Sequence, residues 1–168
     1  REILVDSMYA GATDYVAEYT VTTIKLPDDE AKGRIIGKEG RNIRAFEKYS
    51  GVDLEMDEPG VIKLSSFEST RREIARRSLE RLISDGRIHP AHIEKILVEE
   101  EKEVQRIIEH AGEQAAFDAG VTGIQSDVLK MLGRLKYRTS YGQNQLAHAV
   151  ETSLISGLIA SEIGADVE

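Results

Sequence analysis

Two glycines three residues apart, Gly37 and Gly40, lie between an apolar run that ends in Ile35-Ile36 and another that opens at Ile43. Glycine tolerates positive φ and lets a second backbone approach closely, so the stretch Gly33 to Arg44 reads as a helix, a tight turn and a second helix. Four basic residues, Arg34, Lys38, Arg41 and Arg44, face a single acid, Glu39. The N–H groups that open a helix have no intrahelical acceptor and sit at the positive end of its dipole, where an anion is favoured. The corner is suited to a phosphate chain, with Lys38 and Arg41 adding net charge to the same spot.

The flanking sequence supplies alternating elements. Tyr15 to Leu26 is rich in Val, Thr, Ile and Tyr and reads as a strand ended by Pro27. Asp28, Asp29 and Glu30 form the acidic first turn of a helix that reaches Ile36. The second helix spans Arg41 to Ser50, with Gly51 as its closing glycine. Val52 to Met56 and Val61 to Leu64 flank the turn Asp57-Glu58-Pro59-Gly60 and form a hairpin. Ser65 and Glu68 have capping-box spacing, opening a helix with Ile74, Ala75, Leu79, Leu82 and Ile83 on one face. Arg71, Arg72, Arg76, Arg77 and Arg81 lie largely elsewhere on it, as a solvated face.

The pattern I-I-G-x-x-G-x-x-I, set in the order strand, helix, turn, helix, strand, strand, helix, resembles the type I KH domain over residues 17–86. The resemblance implies an α+β fold, a three-stranded sheet packed on three helices, followed by an all-α segment. It also implies that a single-stranded nucleic acid runs its backbone over Gly37, Lys38, Glu39 and Gly40. Arg34, Arg41, Arg44, Ile36 and Ile43 complete the candidate binding set. Ile35, Val52 and Leu54 are further candidates for the groove wall, and plain core packing is the other reading of all these apolar residues. A helix-turn-helix corner with a charged tip is the structural alternative. No G-x-G-x-x-G follows a strand, and Gly40 does not lead into the Lys-Ser/Thr of a P-loop.

The formal charge of −8 is unlike that of most nucleic-acid-binding domains. Residues 20–86, however, hold 13 basic and 13 acidic residues, leaving 9 against 17 of the chain's 22 and 30 for the remainder. The glycine corner is then a focal attractor beside acidic surroundings, with few phosphate contacts and modest affinity. The absence of cysteine excludes a disulfide framework and thiolate metal sites. No apolar run is long enough to span a membrane, so no membrane contact is expected of this chain. The chain lacks an initiator Met and opens and closes within helical patterns, which reads as a piece of a longer protein.

Beyond Gly86, the connector Arg87-Ile88-His89-Pro90 leads to a long amphipathic helix, with Ile93, Leu97, Val104, Ile107, Ala111 and Ala115 on its apolar side. His89 and His92 have H-x-x-H spacing but no partner ligand nearby in the sequence. Gly120 and Gly123 mark a break, followed by a helix over Ser126 to Lys136, a loop through Tyr141-Gly142, and a helix from Asn144 to Ile163. His148 lies in that last helix. Taken alone, it reads as a core histidine.

The KH block, the D-G-R-I-H-P connector, the charged helix and Y-G-Q-N-x-L-x-H-x-x-E together resemble the ribonuclease Y family. That resemblance divides the chain into the tail of an upstream helix (1–16), the KH domain (17–86), a connector and charged helix (87–123), and the front of an HD phosphohydrolase domain (124–168). It implies a parent endoribonuclease that initiates RNA decay using a divalent metal ion, with His148 as the first ligand. No His-Asp pair occurs here, so the site is incomplete, the chain is expected to bind no metal, and catalysis by the chain alone is not expected. The implied partners are single-stranded RNA, a second copy in a homo-oligomer and other proteins of RNA decay. The implied location is cytoplasmic, with the parent anchored to the membrane by an N-terminal helix. A stand-alone KH module without chemistry is the alternative function.

Overall fold

The computed structural model describes residues 20–167. The expected helix tail at residues 2–12 and the first part of the strand at 15–19 lie outside that range. Strand β1 is Val21–Lys25, helix α1 Asp29–Ile36, helix α2 Arg41–Ser50, β2 Asp53–Glu55, β3 Val61–Ser65 and helix α3 Ser69–Asp85. The strands form an antiparallel sheet in the order β1-β3-β2, with Ile24 opposite Ile62 and Leu54 opposite Leu64. Side chains of a strand alternate between faces, so this register places Ile24, Ile62, Leu64 and Leu54 on one buried side. Ile35, Phe46, Ala75, Leu79 and Leu82 from the three helices cover them. The α+β KH architecture expected from the sequence is present.

Local chemistry fixes the element ends. The Asp28 carboxylate accepts the Ala31 N–H at 2.7 Å and caps α1. Gly51, at φ 66°, closes α2 through its N–H to Glu47 O. The expected capping box fails because Ser65 belongs to β3 and pairs across the sheet with Val21 and Asp53. Glu68 is the N-cap residue of α3 and no side chain caps the helix; the Ser66 hydroxyl accepts the Glu68 N–H at 3.3 Å just ahead of it.

The arginines of α3 are not simply solvated. Arg72 is buried, donates to Ser66 O, and is pushed below its ordinary pKa by desolvation. Arg71 pairs with Glu68 and Arg76 with both Glu73 and Glu80. Arg77 and Arg81 reach into the next helix, α4 (Pro90–Asp118), and bind Glu100 at 2.8 and 3.1 Å, with Arg81 also on Glu99 at 2.7 Å. The first turns of α4 add Ile93, Ile96 and Leu97 to the same hydrophobic core.

The chain divides into two compact units, one running to Val104 and the other Gln105–Glu168. In the second, helix α5 (Ser126–Arg134) crosses the last turns of α4, and helix α6 (Gln145–Glu162) follows a two-residue hairpin, β4 (Thr139–Ser140) and β5 (Gln143–Asn144). The sequence reads that hairpin as loop. Its turn is Tyr141-Gly142, both at positive φ (51° and 75°), the combination that suits the right-handed twist of two paired strands. The buried stripe of α4 uses Ile108, and Ile107 is only partly covered. The crossing with α5 is made by two glycines: a Cβ on Gly112 would lie 2.0 Å from Leu129 O, and one on Gly133 1.9 Å from Ile108 O.

Two predictions follow from this packing. Gly133→Ala forces a methyl group into backbone that cannot move aside as a side chain could, and destabilises the second unit by roughly 3 kcal/mol; hydrogen exchange across residues 105–135 at unchanged protection elsewhere reads it, and native protection there refutes the crossing. The second concerns Glu100. Burial alone raises its pKa, but hydrogen bonds and charge from Arg77 and Arg81 together hold it below its ordinary 4.5. A carboxyl lowered on folding stabilises fully above its unfolded pKa, and that stability is lost as pH falls through the folded value. Glu100→Gln should therefore cost roughly 1–3 kcal/mol near neutral pH, between exposed and buried pairs, and the difference from the native chain should shrink in urea melts taken at progressively lower acidic pH.

Candidate nucleic-acid interface

Helix α1 ends and α2 begins across four residues, three of them at positive φ. Gly37 has φ 70° and ψ 173°, Glu39 φ 54° and ψ 26°, and Gly40 φ 72° and ψ 19°. The Gly37 conformation is essentially closed to residues bearing a Cβ. Glu39 occupies the left-handed region that non-glycine residues visit uncommonly. The Gly37 N–H closes α1 on Gly33 O at 2.9 Å, and the Gly40 N–H returns to Gly37 O at 3.1 Å. With glycine at the N-cap, no side chain caps α2. The Arg41 N–H returns to Lys38 O, and the rest of the first turn has no side-chain cap, the arrangement that favours an anion.

The side chains around this turn differ in what they do. Lys38, Glu39, Arg41 and Arg44 are exposed and line an open recess of about 450 Å³. Arg44 folds back, its Nε donating to Gly40 O at 3.2 Å and an Nη donating to Glu39 O. It satisfies the carbonyls that the left-handed turn leaves outside any helix and braces the loop with its positive charge in place. Neither Lys38 nor Arg41 forms an ion pair or side-chain hydrogen bond among the described residues. Arg34 is also exposed but lies beside Gly86, where its guanidinium is 3.2 Å from the position a Cβ would take, at the C-terminal end of α3. A cation there is favoured by that helix's dipole.

The apolar candidates separate by depth. Ile35, Val52 and Leu54 are buried and belong to the core, the packing reading of the two that the sequence left open. Ile36 and Ile43 keep part of their surface open beside the turn.

One residue that motif reading passes over holds the loop from behind. Asn42, 3% exposed, donates from Nδ2 to Arg34 O at 2.9 Å and to Ile88 O at 3.0 Å. Each such bond contributes about 0.5–1.5 kcal/mol net. Its Nδ2 also fills the space a Gly37 side chain would need, 2.5 Å from an added Cβ. A polar residue just inside the second helix was the only sequence signal.

The histidines take other positions. His148 is exposed on α6, which buries no residue, so it is not a core histidine. Asn144 caps that helix, accepting from the Leu146 and Ala147 N–H groups. Among the described residues no three His, Cys, Asp or Glu side chains are grouped to hold a metal. His89 and His92 are neighbours, ring centroids 5.5 Å apart, and His92 Nε2 lies 3.4 Å from Asp85. No described helix is long and apolar enough to cross a membrane.

Residues 21–81 match the family model for the KH domain. Over its full length the chain is similar to curated relatives called ribonuclease Y. That of Alkaliphilus metalliredigens is 55% identical over 99% of this chain and 35% of its own length. Those of Thermosipho melanesiensis and Clostridium perfringens are 52% and 54% identical, over 100% and 99% of this chain and 33% of theirs. No solved structure matches. The chain thus spans about a third of the relatives' length, as the 33–35% coverage gives. Residues 21–81 are a KH domain, and the chain as a whole is similar to a segment of ribonuclease Y.

Proposed function

We propose that this chain binds single-stranded RNA through the Gly37–Gly40 turn, as the RNA-holding part of an endoribonuclease. The observation that carries the reading is the left-handed turn itself, which opens a helix N-terminus without a side-chain cap between two cations, Lys38 and Arg41, that have no ion-pair partner among the described residues. The name ribonuclease Y, carried by relatives similar over the whole chain, supports RNA as the polymer and cleavage as the parent's chemistry.

The residues divide the work. Backbone N–H groups at the start of α2 take a phosphate oxygen, Lys38 and Arg41 neutralise its charge, and Arg44 keeps the turn in shape. Ile36 and Ile43 offer apolar surface to a base beside it. Phosphate contacts position a strand without reading its sequence, so any sequence preference comes from the base-facing apolar wall. Replacing both Lys38 and Glu39 with Asp turns the tip against phosphate. Affinity for a short 5′-labelled RNA, read by anisotropy at low salt, should drop at least about tenfold, which is about 1.4 kcal/mol. An unchanged affinity in a folded variant removes the loop from the interface.

Cleavage belongs to the parent protein in this reading. A divalent ion there would supply activated water and charge stabilisation, and His148 is the one residue of this chain assigned to hold it. One exposed imidazole does not retain such an ion against water. The chain alone should leave a labelled RNA intact in Mg²⁺ or Mn²⁺, and cleavage that survives repeated purification and disappears with EDTA would place a working site within these residues.

A further inference from the structure

Asn42 joins three segments that are separate in sequence. As the second residue of α2, it carries a backbone N–H in the turn that faces the candidate ligand, while its side chain runs the other way into the protein. There the carboxamide holds Arg34 O, in the last turn of α1, and Ile88 O, in the connector between α3 and α4. Both acceptors are carbonyls, which fixes the amide's orientation, because the reverse would set its oxygen against two oxygens. The same nitrogen lies against the Cα of Gly37, in the space that only the missing side chain leaves. The first glycine of the turn is thus needed for two reasons, its φ of 70° and the amide packed on it.

We infer that Asn42 is a positioning residue for nucleic-acid binding: it sets the distance between the end of α1 and the start of α2 by tying both to the connector at Ile88, so the phosphate-facing N–H groups converge only while that tie holds. The inference rests on the reading of the Gly37–Gly40 turn as the RNA-binding element. Without the tie, α1 and α2 keep their core contacts through Ile35 and Phe46, but the turn between them is no longer held at one separation. A phosphate then meets a flexible pair of helix ends in place of a fixed cradle, and the ordering cost falls on binding. Because one of the two acceptors is the connector, RNA held at the turn and the path of the chain into α4 constrain each other.

The test uses Asn42→Ala and Asn42→Ser beside Lys38→Asp in the full 168-residue chain, with a short single-stranded RNA titrated at several salt concentrations. Active fraction and melting are measured for every variant. Lost positioning weakens binding about tenfold in the folded fraction and makes the slope of log K against log salt shallower by about 0.7 or more, one phosphate contact. Simple loss of stability lowers the active fraction and leaves that slope unchanged. In the Asn42→Ala background, Lys38→Asp should cost less than it does alone, since both act through one cradle. Full additivity at an unchanged slope, or native affinity in both Asn42 variants, overturns the inference while the loop reading stands. No loss from Lys38→Asp alone instead overturns the loop reading, and this inference with it. The native chain gives an independent check: RNA should shift the Asn42 side-chain NH₂ and the His89 amide in NMR spectra, and no shift at either overturns the tie.

Discussion

The left-handed turn between α1 and α2 is the constraint from which the rest of the first unit follows. Three residues at positive φ within four positions reverse the chain between α1 and α2. That reversal carries Ile35 and Phe46 into the core from opposite sides of the turn. It also leaves the N–H groups of one helix and the carbonyls of the other with no partner in either helix. The structure answers the two shortages differently. Carbonyls are met from within, Glu39 O and Gly40 O by Arg44 and Arg34 O by Asn42. At the start of α2 the Arg41 N–H returns to Lys38 O, and among the described residues no side chain caps the donors there. The acceptors that would repel phosphate are engaged by side chains, whereas the donors that would attract it carry no side-chain cap.

An acidic chain can still present such a site because its cations are distributed unevenly in availability. All five α3 arginines are engaged, four with carboxylates and Arg72 with a backbone carbonyl. Those charges neutralise one another at short range, and at a Debye length of about 8 Å they project little field. Among the described residues Lys38 and Arg41 have no such acid partner, and Glu39 is the one acid lining their recess. Net charge is a poor guide here, since counting treats a paired arginine and an unpaired one alike.

The elements that read correctly from sequence are those whose signal is local. The acidic start of α1, Gly51 as a terminator and the short strand within Val52 to Met56 are each decided by a few neighbouring residues, although Asp28 turns out to cap α1 rather than to lie in its first turn. What could not be read depends on contacts across the fold. Arg72 looks like its four neighbours until α3 docks and turns it inward. Gly112 and Gly133 are merely unfavourable helix residues until their backbones meet. Ser65 has capping spacing, yet the sheet claims it first, because two cross-strand partners outweigh one cap. The turn's glycines were legible and Asn42 was not, since its significance lies in Ile88, 46 residues away.

That distance also explains why the compact unit does not end where the family match ends. The match stops at residue 81, within α3, yet Ile93, Ile96 and Leu97 of α4 lie in one core with Ile24 and Leu64 of the sheet. Fully burying a side chain of this kind contributes about 1.5–3 kcal/mol, so three of them are comparable with the whole stability of many small domains. Glu99 and Glu100 then fix α4 against α3 through Arg77 and Arg81. The connector at Ile88 is consequently stretched between two anchored helices, which makes its carbonyl a fixed point for Asn42. On the proposed reading the stiffness of the RNA cradle is supplied by residues beyond the KH match, which belong to the binding element physically without lining the recess at the turn.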